Sequence, residues 1–154
     1  MQNYKIVTKP QFTVMGYSQK FNSQTSYEQI PKFWTELLGG ESKTELCGMY
    51  GICYNCKPNG NFDYMIADDY VPIFETADKA EILIVPAHTW AVFSCVGKLP
   101  KSLQDLNTYI FNDWLPNNKQ YSMVDDLSIE AYFDTEDNNS DEAYSEIWIP
   151  IEKI

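Results

Sequence analysis

The chain contains no arginine: all 11 of its basic residues are lysine, against 22 Asp and Glu, for a net charge of −11. Nucleic-acid binders read phosphates and base edges with Arg forks along a basic stripe, and both are missing, so direct DNA or RNA binding is excluded. Histidine occurs once, at His88, which removes any two-His metal motif. No run reaches the roughly 18–20 apolar residues of a membrane span. The opening MQNYKIVTKPQF lacks the apolar segment and small-residue cleavage site of a signal peptide. The expectation is therefore a cytoplasmic protein with reduced thiols, no metal, no cofactor and no membrane contact.

What is abundant is aromatic: 11 Tyr, 8 Phe and 4 Trp in 154 residues. That is more than a core alone requires, and such rings also line pockets. The length predicts one domain, 1–154.

Periodicity orders the chain. Residues 11–22 read as a strand, and Ser26–Leu38 as a helix with an Ile30, Phe33, Trp34, Leu37, Leu38 stripe. Ser26 with Gln29 resembles a capping box, Pro31 belongs in a first turn, and Gly39-Gly40 ends the helix. Strands at 49–56 and 62–69 flank the turn signal KPNGN, and 82–97 reads as extended with a break at Pro86. A second helix follows, about Lys101–Leu115, with Leu103, Leu106, Ile110 and Trp114 on one stripe and Pro116 as its stop. The last strands, 127–133 and 146–153, flank the acidic run 134–142, read as a solvated loop. The order is β-α-β-β twice: an α+β fold with an antiparallel sheet, two helices on one face and a ligand cleft on the other.

Several motifs carry little chemistry. Cys53-Tyr-Asn-Cys56 ends a strand instead of opening a helix, where a redox pair would sit, and Cys47 and Cys95 supply no second such pair for zinc. GGESKT (39–44) lacks phosphate-loop spacing and follows a helix. His88 has no nucleophile elbow beside it.

Glu130, in LSIEAYFD, is different. By period 2, Leu127, Ile129, Ala131 and Phe133 share one face, taken as the one under the helices. Ser128, Glu130, Tyr132 and Asp134 share the other. A strand Glu usually meets solvent, and a functional role requires its face to be a cleft.

Residues 84–132 resemble the GyrI-like family, the AraC-type effector-binding domain. They carry Pro86-Ala-x-x-Trp90-Ala-Val-Phe93, then Gly97, Trp114-Leu-Pro116 and Glu130-x-Tyr132, followed by a last strand ending Ile149-Pro-Ile151. The N-terminal half matches more loosely, through IPKFWTELL (30–38) and Phe62-x-Tyr64. The resemblance implies two β-α-β-β modules and an aromatic pocket on the open sheet face around one acidic residue, which meets lipophilic cations in multidrug-sensing members. By position that acid is Glu130, and the pocket rings are Tyr64, Trp90 and Tyr132, with Tyr50 and Tyr17 more distant matches. His88-Thr89-Trp90 departs from the family's Gly-x-Tyr. Members often carry a helix-turn-helix domain, for which 154 residues leave no room, so a stand-alone effector-binding protein is implied, regulating transcription only through a protein partner. Two alternatives stay open: hydrolysis of reactive cyclopropane compounds by Glu130 with Tyr64 or His88 assisting, and a protein-interaction role such as gyrase inhibition.

Overall fold

The computed structural model describes residues 4–38, 48–70, 80–133 and 142–154. The chain divides into two compact units, the first Met1–Lys9 with His88–Ile154 and the second Pro10–Ala87.

The second unit holds β2 (Phe12–Asn22), α1 (Ser26–Leu38), β3 (Tyr50–Tyr54), β4 (Asn61–Asp69) and β5 (Glu81–Val85). Its strands run antiparallel in the order β3-β4-β2-β5. The α1 stripe lands as its spacing requires: Phe33 is buried with Phe21, Tyr64 and Ile66, and Ile30, Trp34 and Leu37 pack around them. Pro31 lies inside the helix and not in its first turn. The capping box is not formed either. The Thr25 carbonyl accepts from Gln29 N at 3.0 Å, and the Ser26 hydroxyl turns back to the Ser23 carbonyl. Gly39-Gly40, the GGESKT run, Cys47 and most of the acidic 134–142 run lie outside the described residues.

The first unit holds β1 (Tyr4–Lys9), β6 (His88–Val96), α2 (Lys101–Tyr109), β7 (Tyr121–Met123), β8 (Ser128–Tyr132) and β9 (Tyr144–Lys153). After α2 the chain widens into a π-helical turn, Ile110–Trp114, and a final helical turn, Leu115–Asn117. The strand order is β1-β6-β9-β8, all antiparallel, with β7 on the far end of β9. Pro150 fits within β9 because the ladder to β8 ends at Trp148 and the ladder to β7 begins at Ile151. Its missing N–H falls in that gap, where no ladder bond is lost.

The core of this unit is Ala91, Phe93, Ile147, Ile149 and Ile151 against Leu103, Leu106 and Ile110 of the helix. Burying each Ile, Leu or Phe among them is worth about 1.5–3 kcal/mol. The α+β class and the repeated β-α-β-β order are as the periodicity indicates. Three strands escaped it: β1, β5 as a strand separate from β6, and β7. β1 alternates lysines with Tyr4 and Ile6, the composition of an edge, and is largely exposed.

Candidate functional site

Directly opposed residues of an antiparallel pair point to the same face. Glu130 opposes Ile147, Ile147 opposes Phe93, and Phe93 opposes Tyr4, so these four form one row across the first unit. Phe93 and Ile147 belong to the core under α2, and Tyr132 packs against the same cluster. Glu130 and Tyr132 therefore stand on the helix face, not on the face away from it. The other face carries Trp90, Val92, Ile129, Ala131, Glu146 and Trp148, and all six are buried. The alternation in LSIEAYFD is as read, but its faces are exchanged. β9, the neighbour of β8, is buried at every position from Ser145 to Ile151, so apolar character cannot distinguish which side the helix covers.

The helix-face site is built from β8 outward. The Glu130 carboxylate is half-buried, and the Tyr132 hydroxyl donates to it at 2.8 Å. Two strands along the row, about 10 Å by sheet spacing, three rings meet: Phe93 lies 4.9 Å from Trp114 and 5.2 Å from Tyr4, and Tyr4 lies 5.0 Å from Trp114. Trp114 reaches this position from the π-helical turn.

Trp90 is not brought to Glu130. It is fully buried on the opposite face, its ring 6.3 Å from Trp148, and its Nε1 has no acceptor among the described residues. His88 shares that face, with Nε2 3.1 Å from Asp125 and its ring 5.6 Å from Trp90. It stands on the face opposite to Glu130.

Sequence reading missed a second carboxylate cluster here. Glu146 is 8% exposed, yet its Oε1 accepts from Trp148 Nε1 at 2.9 Å and its Oε2 from the Tyr144 hydroxyl at 2.7 Å. That hydrogen bond, with burial behind it, raises the Tyr144 phenol above its ordinary range. Both donors are neutral. The signal was present as Tyr144-x-Glu146-x-Trp148, a carboxylate between aromatics on one strand face, the same pattern that singled out Glu130.

The remaining candidates lie in the second unit. Tyr64 is fully buried under α1 and accepts from Trp34 Nε1 at 2.8 Å, while Tyr17 packs at the edge of the same cluster. Tyr50 points to the opposite face and donates to Asp69 at 3.0 Å, 6.2 Å from the Phe12 ring. Burial, then that carboxylate, pushes its phenol far up. Cys53 is half-buried in β3 and Cys56 exposed beyond it; with Cys95 they form no disulfide. Among the described residues no cluster of His, Cys, Asp and Glu is arranged to hold a metal, and no helix is long and apolar enough to cross a membrane.

A family model described as the integron-associated effector binding protein, Cass2, matches residues 5–151. Three solved structures share the fold. SAV2435, bound to tetraphenylphosphonium, is 21% identical over 97% of this chain and 94% of its own, with a TM-score of 0.72. An integron cassette protein from the Vibrio cholerae mobile metagenome is 18% identical over 98% of this chain and 97% of its own, with a TM-score of 0.73. The C-terminal domain of EcmrR is 18% identical, covers 100% of this chain and 99% of that domain, and has a TM-score of 0.62. At these identities the likeness is one of fold. No curated protein matches the chain.

Proposed function

Because the chain belongs to the integron-associated effector-binding proteins, we propose that it binds hydrophobic, cationic small molecules with Glu130 as the anionic anchor. The observation that carries this reading is the Glu130–Tyr132 pair, a half-buried carboxylate whose phenol partner supplies a hydrogen bond but no charge. Removing a carboxylate from water is costly, and a cation in the same apolar surroundings offsets that cost. The Tyr4 and Trp114 rings on the same face, backed by the buried Phe93, suit an aromatic or lipophilic body. The ligand class is supported by the tetraphenylphosphonium that SAV2435 holds.

The hydrolytic alternative gains nothing from the geometry of the first unit. Its helper His88 stands on the other face of the sheet, paired with Asp125.

Calorimetry with tetraphenylphosphonium tests the proposal. Wild type binds, and Glu130→Gln loses roughly 2 kcal/mol or more, about thirtyfold in Kd, as when one partner of a desolvated charge pair is removed. Equal affinity in the two proteins refutes Glu130 as anchor, and no binding of any lipophilic cation refutes the ligand class.

A further inference from the structure

Cys53 and Cys56 are separated by Tyr54 and Asn55, and in a regular strand residues three apart face opposite ways. Here the strand is not regular. The β3–β4 ladder runs in register as far as Tyr54 opposite Asp63, and beyond it Lys57 N donates to the Asn61 carbonyl at 2.8 Å. Between those pairs β3 has two residues, Asn55 and Cys56, where β4 has Phe62 alone, which makes a β-bulge. Asn55 takes the left-handed conformation of such a bulge, at φ 53°, which Asn visits more readily than most residues. Its Nδ2 donates to Asp63 Oδ2 at 2.9 Å, and Lys20 Nζ holds the other oxygen of Asp63 at 3.1 Å.

The extra residue returns Cys56 to the face of Cys53. Cys53 opposes Tyr64, on the side that α1 covers, and packs against the cluster of Phe21, Phe33, Tyr64 and Ile66. Lys57, bonded to Asn61, shares the other side with Tyr54 and Asp63, so the residue before it, Cys56, falls opposite Phe62 and next to Cys53. The two cysteines are thus two pairing steps apart, about 6.7 Å along a flat strand and less along a twisted one. A disulfide spans roughly 4.4–6.8 Å between Cα atoms. The two also differ in exposure: Cys56 is exposed and Cys53 half-buried. One thiol can meet a reagent from solution while the other waits beside it.

We infer that Cys53 and Cys56 are a dithiol switch, open as two thiols under a reducing poise and closed as an intrastrand disulfide by a small-molecule disulfide such as glutathione disulfide. The Cys56 thiolate attacks one sulfur of the small disulfide, forming a mixed disulfide and expelling a thiolate that takes up a proton. The Cys53 thiol gives its proton to solvent, attacks the Cys56 sulfur and expels the second small thiol. The pair loses two electrons and two protons, and the small disulfide gains them as two thiols. Cys56 leads into a turn and not a helix, so no helix dipole speeds the first attack. A bridge with one exposed end is open to reduction, which makes it reversible. Closing it ties the bulge, through Cys53, to the cluster under α1. Both cysteines belong to the second unit and Glu130 to the first, so this inference does not rest on ligand binding.

The test places the protein carrying Cys47→Ser and Cys95→Ser, which leaves this pair as its only thiols, in glutathione buffers of stepped redox ratio, with acid quenching and mass spectrometry. Both thiols disappear together, the protein loses the mass of two hydrogen atoms, and a Cys53–Cys56 crosslinked peptide is recovered. Excess reduced glutathione reverses all three changes. With Cys53→Ser added, a glutathione adduct on Cys56 accumulates instead. The equilibrium constant for closing the bridge is roughly twentyfold greater in the folded protein than in urea, the chain-entropy value for so short a loop. A glutathione adduct that forms on Cys56 and never gives way to the bridge overturns the switch, as does a bridge found only between two chains. Closure no more favourable in the folded protein than in urea overturns it as well, since the bulge then contributes nothing. The same crosslinked peptide is sought in the wild-type protein, so that a serine variant that fails to fold does not decide the matter.

Discussion

Tyr132 and Glu130 lie two residues apart on β8, on the face that α2 covers, and the phenol donates to the carboxylate at 2.8 Å. A hydrogen bond to a charged group contributes about 1.5–3 kcal/mol where it is buried, less at a half-exposed position. A double-mutant cycle of Tyr132→Phe and Glu130→Gln, read by urea unfolding, should show a coupling of about 1 kcal/mol. Strict additivity would mean that the pair is not formed in solution.

Glu146 has two donors and little water. Glu146→Leu strips the acceptor from both Trp148 Nε1 and the Tyr144 hydroxyl, at about 1–3 kcal/mol for each group left without one. Glu146→Gln keeps one acceptor oxygen and loses less. The same carboxylate holds the Tyr144 phenol above its usual range, so in Glu146→Gln that phenol titrates at lower pH than in wild type. Chemical denaturation and the Tyr144 ring resonance check the two statements. An unchanged Tyr144 midpoint would show that burial alone sets it.

Tyr50 gives a pH dependence whose sign is fixed by its raised pKa, caused first by burial and then by the bond to Asp69. A phenol protonated more tightly in the fold than in the unfolded chain contributes stability that is complete below the ordinary Tyr value, near 10. That contribution is lost as pH rises toward the folded value. Wild type should therefore lose stability more steeply than Tyr50→Phe between about pH 9 and 11. Parallel curves would contradict the assignment.

Gly16 has no room for a side chain. A Cβ there would collide with the Ile66 carbonyl oxygen and stand 2.7 Å from Ala67 Cα, both in the facing strand β4. Backbone atoms cannot swing aside as a flexible side chain does. Gly16→Ala should cost about 1–3 kcal/mol, the range of overpacking, or more. A melting temperature equal to that of wild type would mean that β2 and β4 separate locally at no cost.

Helix α1 and the α2 stripe were legible because apolar residues recur at three and four, and the match of Ile30, Phe33 and Trp34 to the α1 core is direct. Strand positions were legible for the same reason at period 2. Which face a strand turns to its helix was not. For Glu130 the answer is set by its pairing with Ile147, a non-local fact, and β9 is buried on both faces, so it carries no amphipathic signal. Trp90 was drawn toward Glu130 by its place in a motif, although register puts the two on opposite faces. Glu146 escaped notice because YSEIWIPI reads as a plain core strand. β1 escaped because an exposed edge strand has no buried stripe to betray it.

The nesting of the units has a consequence for the order in which they form. The second unit is one uninterrupted stretch, Pro10–Ala87, and it interrupts the first. During vectorial synthesis β1 leaves the ribosome first, yet its partner β6 begins only at His88, once the whole of the intervening unit has been made. The inserted unit contains its own strand pairings and closes early, whereas the surrounding one waits on contacts of long sequence separation. Tyr4–Lys9 thus spends the longest time unpaired, and its two lysines, Lys5 and Lys9, with Thr8 keep that waiting strand from pairing with another chain.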